Sequence, residues 1–536
     1  MRGVVRFAVA VLAAAGVAVL VVPASSQGAT DPLDGIWVSE TAFGPALRGD
    51  LTVSRDPSGW RAAIGTAATR FTVSGERVEF AFPHDDGGFR GTLADGGRAI
   101  SGFWLQPSGE TVERRNPHGT GQSFATPLTL RSIGAGAWRG TARPLDDRFT
   151  LYLKITRNPD GTLTGAFRNP ESNAIGGAAA FRVTREGDWL HFTARPDETQ
   201  PPIVVDAKFG AAADTLRVFW PDAGRVLELT RRTPAQVPEF FPRPPGEPAY
   251  VYRAPPSLGD GWSTAPARDV GLDESSLARV VQREIDVDPA ARRAPLMHSL
   301  LIAHHGKLVL EEYFFGFDRE RLHDIRSAGK TFGSVMLGAA MMQRARIAPE
   351  SHAYELLQAM GPFANPDPRK ARITLAHLMT HTSGLACDDN DDASPGNEDT
   401  MQAQHAQPNW WKYALDLPMA RDPGTRYAYC SANDNLLGAA LTTATRTSLP
   451  ELFDRTIARP LQFGPYAWNL MPTGEGYLGG GAFLRPRDLL KLGQAYLDGG
   501  VWNGRRIVDR AWVGRSTSPQ IAISPATTGL DEKAFA

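Results

Sequence analysis

Ser327 and Lys330 are the residues of this chain whose types and spacing suggest covalent chemistry. A serine and a lysine three positions apart share one face of a helix, one turn apart. Residues 327–342 read S-A-G-K-T-F-G-S-V-M-L-G-A-A-M-M, and Phe332, Val335, Met336, Leu337, Ala340 and Met341 make that helix apolar on most sides. A lysine entering such a helix must be neutralised or paired, because burial disfavours its charge. Tuned in that way, it can take the proton of the Ser327 hydroxyl, which is a weak nucleophile on its own. The plain alternative is coincidence, since S-x-x-K arises roughly once or twice by chance in a chain of this length and composition. The surrounding sequence has to decide.

Two later stretches bear on that decision. Residues 373–385 read I-T-L-A-H-L-M-T-H-T-S-G-L, a short helix closing on Gly384 as a left-handed cap. His381 is either a base for a serine or a residue that fixes the helix end. With no G-x-S-x-G elbow and no clear acid partner, the second reading is favoured. Residues 423–431 read P-G-T-R-Y-A-Y-C-S and precede an apolar helix over 435–443. In an extended segment Tyr429 and Ser431 point the same way, which would bring a phenol and a hydroxyl into one cleft. A phenol beside a cationic lysine can act as general acid or base.

The elements that must position these residues follow from the chain in order. Its 536 residues suggest several units, and 42% hydrophobic with 21% charged residues are those of a soluble globular protein. A formal net charge of −1 gives no electrostatic case for nucleic acid or an anionic membrane as partner. Residues 1–29 read as a signal peptide, with Arg2 and Arg6 before an apolar run over 7–22 and then small residues; an uncleaved anchor is the alternative. The expected location is therefore exported, periplasmic or extracellular.

Residues 31–132 and 133–233 alternate apolar and polar residues in short runs between turn signals such as Asn158-Pro159-Asp160-Gly161. Gly35-Ile36-Trp37 and Gly136-Ala137-Trp138 open the two halves, so we expect two antiparallel β modules of similar plan, barrels or sandwiches. The proline-dense stretch 234–258 reads as a semi-rigid linker. From 259 to 536 the order helix (277–285), hairpin (299–315) and buried helix predicts an α+β domain.

Other polar groupings promise less. His84, Asp85 and Asp86 are adjacent in a loop and lack ligand spacing, so no metal is expected there. The acidic residues of 387–399 (Asp388, Asp389, Asp391, Asp392, Glu398, Asp399) lack EF-hand spacing and read as a solvated loop, with calcium as the alternative. Trp410 and Trp411 either flank an entrance or fill core. Cys387 and Cys430 are either one disulfide or two buried thiols.

Four motifs in order then carry a resemblance: S-A-G-K at 327–330, H-L-M-T-H-T-S-G-L at 377–385, P-G-T-R-Y-A-Y-C-S at 423–431 and G-G-G-A-F-L-R-P-R-D-L at 479–489. Over about 262–519 the chain resembles the serine hydrolases of the β-lactamase superfamily, in particular class C β-lactamase-like esterases and 6-aminohexanoate-dimer hydrolases. The resemblance implies a β-lactamase/transpeptidase-like fold that needs no cofactor and takes a small-molecule or peptide-like substrate. It implies that Ser327 forms an acyl-enzyme, that Lys330 and Tyr429 share the proton transfers, and that Ser431 completes a Y-x-S substrate-binding motif. The Ser327 backbone N–H would be one oxyanion donor. Relatives carry a further K-T-G or H-x-G motif on a late strand, and no K-T-G or H-T-G follows Tyr429 here. The expectation is a C-terminally truncated domain, either a weakened enzyme or a β-lactamase-like binding protein.

Overall fold

The computed structural model describes residues 33–525, apart from 43–46, 107–122, 146–147, 171–179, 196–201, 211–213, 221–224 and 292–295. The signal peptide expected over 1–29 lies outside the described residues.

Strict alternation of apolar and polar residues builds the N-terminal half. Leu151, Leu153 and Ile155 of the strand Arg148–Arg157 point inward, and so do Trp37, Phe192, Val205 and Leu216 of its neighbours. Eight antiparallel strands close around this core into a barrel, with Gly35–Ala42 pairing Arg148–Arg157 on one side and Arg225–Arg232 on the other. A second antiparallel sheet forms around Leu51, Val53, Phe89, Trp104 and Leu130. It curls until the rings of Phe71 and Phe80 stand 4.8 Å apart.

The two sheets do not divide the chain at 132/133. The opening strand of each half pairs with the other half: Trp37 lies opposite Leu153 in the barrel, and Trp138 lies opposite Val53 in the second sheet. The reason lies in the repeat itself. Two openings with the same Gly-x-Trp alternation present equivalent edges, and strand pairing depends on that pattern and not on chain distance.

The second sheet also continues into the α+β region. Strand Ser123–Gly134 pairs through Phe124 and Ala125 with Asn469 and Trp468, the strand Ala467–Leu470 pairs Ala482–Leu484, and that strand pairs His323–Asp324. Phe103 and Ala125 belong to the same apolar core as the helix Thr331–Met342. One hydrogen-bonded sheet therefore runs from the N-terminal half to within three residues of Ser327.

The stretch 234–258 is packed and not a free linker. Val237 and Phe240 are buried against Ile36, Val38 and Tyr152 of the barrel. Arg168 of the barrel donates to Phe240 O at 2.9 Å, and its guanidinium lies 3.8 Å from the ring centre of Phe315. Phe315 N donates to Pro242 O, Tyr250 Oη to Glu312, and Tyr252 Oη to Val309 O. Pro234 and Pro238 each open a 3₁₀ turn, Pro234–Gln236 and Pro238–Phe240, and the aromatic residues of the segment fasten it on both sides.

The α+β region follows the expected order. Asp273 caps the helix Glu274–Ile285 by accepting from the backbone of Ser275 and Ser276. The hairpin Ser299–His304 and Lys307–Tyr313 follows, then the buried helices Thr331–Met342 and Ser431–Thr445. Trp410 and Trp411 are core residues of the helix Trp410–Asp416. Buried Arg487 bridges Asp260 and Glu311 at 2.8 and 2.6 Å, tying the start of the domain to its hairpin.

Two outcomes test this architecture. Residues 259–536 expressed alone would expose the edge that Phe124 and Ala125 cover, so circular dichroism and dye binding should show no cooperative melt and exposed apolar surface. The second outcome concerns acid. Burial, with His323 and Arg168 beside it, pushes His298 down to about 3; burial and Arg321 push His323 down to about 4. Both are neutral in the fold and gain protons on unfolding, so stability is full above about pH 6.5 and is lost as pH falls toward 4. Melting temperatures from pH 7 to 4.5 should fall, and less steeply in His323→Gln.

Candidate active site

Ser327 sits in a tight turn and not within the α-helix. Residues Arg326–Lys330 form a 3₁₀ turn that leads directly into the helix Thr331–Met342. In a 3₁₀ turn side chains three apart eclipse one another, so S-x-x-K brings hydroxyl and amine together more directly than an α-helix would. Lys330 Nζ lies 3.0 Å from Ser327 Oγ and also donates to Gly479 O. Ser327 is exposed and Lys330 half-buried. The turn is pinned from behind by Ile325 N donating to Ala482 O. Gly480 lies against it with φ +140°, and a Cβ there would stand 3.0 Å from the carbonyl of Arg326. Only glycine allows that approach.

Tyr429 arrives from the other side on a clamped extended segment. Ala428 N donates to His381 O at 3.0 Å, Asp389 N to Tyr429 O at 2.8 Å, and Cys430 N to His381 Nδ1 at 3.0 Å. A disulfide joins Cys387 to Cys430 and fastens the next residue, so the two cysteines form a bond. The His381 ring stacks on that of Tyr429, centres 5.0 Å apart and planes 18° apart. Lys330 Nζ lies 5.0 Å from the centre of the Tyr429 ring. The structure thus brings Ser327, Lys330 and Tyr429 together from two segments a hundred residues apart.

His381 Nδ1 accepts the Cys430 N–H and so is not free to take a proton from Ser327. Burial, aided by Lys330, pushes it down to about 4, so it is a neutral ring. The helix Leu375–Met379 ends before Gly384, and His381 itself takes the left-handed conformation at φ +53°. It does have an acid neighbour: Nε2 stands 3.5 Å from Asp434 Oδ2. That carboxylate comes 53 residues later, on the helix Ser431–Thr445, where chain order gave no sign of it.

Ser431 does not open beside Tyr429 as the alternation suggested. A helix begins at Ser431, which breaks the period of two and turns the side chain into the protein, where it is 0% exposed. Its hydroxyl lies 2.7 Å from Asp389 Oδ2 and 3.1 Å from Glu398 Oε2, and its N–H donates to Asp389. The acidic loop is correspondingly not all solvated. Asp389 and Glu398 face inward, the latter accepting from Tyr477 Oη, while Asp391, Asp392 and Asp399 are exposed. Burial raises Asp389 above the usual carboxylate range, against the opposing hydrogen bonds from Ser431. Among the described residues, no group of three or more His, Cys, Asp or Glu side chains is arranged to hold a metal.

An exposed serine stands in hydrogen-bond reach of a lysine, with a tyrosine ring beside that lysine, and such a grouping is chemically suited to activate a hydroxyl. Residues 285–535 match the beta-lactamase family model. This part of the chain is a β-lactamase-related domain, of the kind found in serine hydrolases, set behind N-terminal antiparallel barrel-like sheets. A 6-aminohexanoate-dimer hydrolase of Paenarthrobacter ureafaciens is 25% identical over 227 residues, 40% of this chain and 55% of that protein. The chain therefore spans about half the length of this curated relative. Among solved structures, a penicillin-binding protein from Bacillus halodurans has a TM-score of 0.31 at 16% identity, covering 39% of this chain and 68% of its own. A penicillin-binding protein homologue from Caulobacter crescentus has a TM-score of 0.33 at 13% identity, covering 42% and 70%.

The disulfide offers a direct test of how the tyrosine is held. Its ends are 43 residues apart, a loop for which chain entropy gives about 4 kcal/mol of stabilisation. The Cys387→Ser/Cys430→Ser variant should melt at a lower temperature in calorimetry and lose up to about that much stability in urea titration. Dithiothreitol should reproduce the change in the native chain and leave the variant unaffected.

Proposed function

We propose that the chain is an exported serine hydrolase that cleaves an ester, amide or peptide-like bond through an acyl-enzyme on Ser327. The observation that carries this reading is the 3.0 Å approach of Lys330 Nζ to an exposed Ser327 Oγ. Ser327 Oγ attacks the carbonyl carbon, and its proton passes to the Lys330–Tyr429 pair, which accepts it when one of the two, the amine or the phenol, is deprotonated. The tetrahedral intermediate collapses by breaking the bond to the alcohol or amine, which leaves with that proton. Water then attacks the acyl carbon, loses a proton to the same pair, and releases the acid and Ser327. The Ser327 N–H, at the start of a helical turn, is suited to stabilise the oxyanion.

Export is supported by the Cys387–Cys430 bond, since disulfides persist in oxidising compartments. The family and the curated relative support a small carbonyl substrate. Ser431, bonded to buried carboxylates, is assigned to holding the start of its helix and not to touching that substrate.

A covalent probe tests the reading. A fluorophosphonate or a fluorescent penicillin should label the wild-type chain and leave Ser327→Ala unlabelled. Lys330→Ala should slow labelling by about 10²–10⁴-fold, the usual contribution of general acid–base catalysis. A folded wild-type protein that takes neither probe would instead make this a β-lactamase-like binding protein.

A further inference from the structure

Asp434 is a buried acid that the reaction just described does not use. Its side chain is 5% exposed, and its Oδ2, which makes no hydrogen bond, stands 3.5 Å from His381 Nε2. A buried polar atom left without a partner is costly, so the His381 ring beside it invites an explanation. His381 in turn has both nitrogens committed. Nδ1 accepts the Cys430 N–H, which in a neutral ring leaves the proton on Nε2, facing Asp434. The face of the same ring carries Tyr429, and the Tyr429 ring lies beside Lys330.

We propose that Asp434 is a positioning residue for this site: it accepts the Nε2 proton of His381, and the imidazole so oriented holds the Tyr429 phenol in place against Lys330. The inference rests on the acyl-transfer reading above. The contact needs no charge on the ring. Burial holds the imidazole uncharged and drives Asp434 well above the usual carboxylate range, with Lys330 pulling it back and Asp389 and Glu398 pushing it further up. A carboxyl group has nearly the shape of an amide, and both offer an acceptor oxygen to Nε2–H. The role is thus as an acceptor of fixed position and not as a countercharge, and an asparagine should fill it.

The rate of fluorophosphonate labelling at Ser327 reads the proposal in the full chain. Asp434→Ala should slow labelling about tenfold or more, since small misplacements of reacting groups are costly. Asp434→Asn should stay within about threefold of wild type. His381→Phe should match Asp434→Ala, and the double variant should be no slower than the slower single one, because the two residues act through one contact. The proposal is overturned if Asp434→Ala is as fast as wild type, if Asp434→Asn is as slow as Asp434→Ala, or if the two effects multiply. Nitrogen-15 spectra of the wild-type histidines give a second reading that needs no folded Asp434 variant. The His381 signal, assigned by its loss in His381→Phe, should show a protonated Nε2 and an unprotonated Nδ1, and the reverse tautomer would refute the assignment. A wild-type chain that takes no label at all would sink the acyl-transfer reading instead, leaving the tautomer to decide the contact on its own.

Discussion

The site depends on how closely two apolar helices pack. Lys330 immediately precedes the helix Thr331–Met342, and Tyr429 lies two residues before the helix Ser431–Thr445. The helices meet at Gly333, where a Cβ would stand 2.8 Å from Leu437 and 2.9 Å from Leu478. Both helices are buried on most sides, and packed interiors tolerate little displacement. Fixing that contact fixes the spacing of their first turns, and with it the distance from the lysine to the tyrosine. A larger residue at 333 would spread the helices and separate groups that it never touches.

Behind the site the protein accepts a costly arrangement of polar groups. Asp389, Glu398, Ser431 and Tyr477 share one buried network at the start of the second helix, with the Cys387–Cys430 bond beside it. Burial and Glu398 drive the Tyr477 phenol far above its ordinary range, so it remains a hydrogen-bond donor. Buried polar networks of this kind are stabilising only when fully satisfied, and then they fix one geometry. The loop from Cys387 to Glu398 thereby becomes a rigid wall for the segment that delivers Tyr429.

The N-terminal half is joined to this arrangement by hydrogen bonds and not by a tether alone. Its sheet reaches His323–Asp324 through Ala467–Leu470 and Ala482–Leu484, and the strap over 234–258 is fastened to both the barrel and the hairpin. The Gly479–Gly481 segment that accepts from Lys330 directly precedes one of those strands. Displacing the sheet would therefore move the turn that carries Ser327.

Local chemistry made much of this legible in the sequence. The S-x-x-K spacing, the apolar run after it, the hairpin over 299–315 and the alternation of the N-terminal strands are consequences of short-range periodicity, which sequence displays directly. Ser327, Lys330 and Tyr429 were nameable because each sits at the entrance of an element with a strong pattern. Three things were settled only by tertiary structure. The exchange of opening strands between the two sheets came from long-range pairing, to which identical edges are blind. The inward turn of Ser431 came from a helix that starts there, four residues before the apolar run over 435–443 that signals it. The place of Asp434 beside His381 came from the path of a helix 53 residues further on. Sequence periodicity sets which face a residue occupies, whereas the partner on that face depends on which distant elements the core brings together.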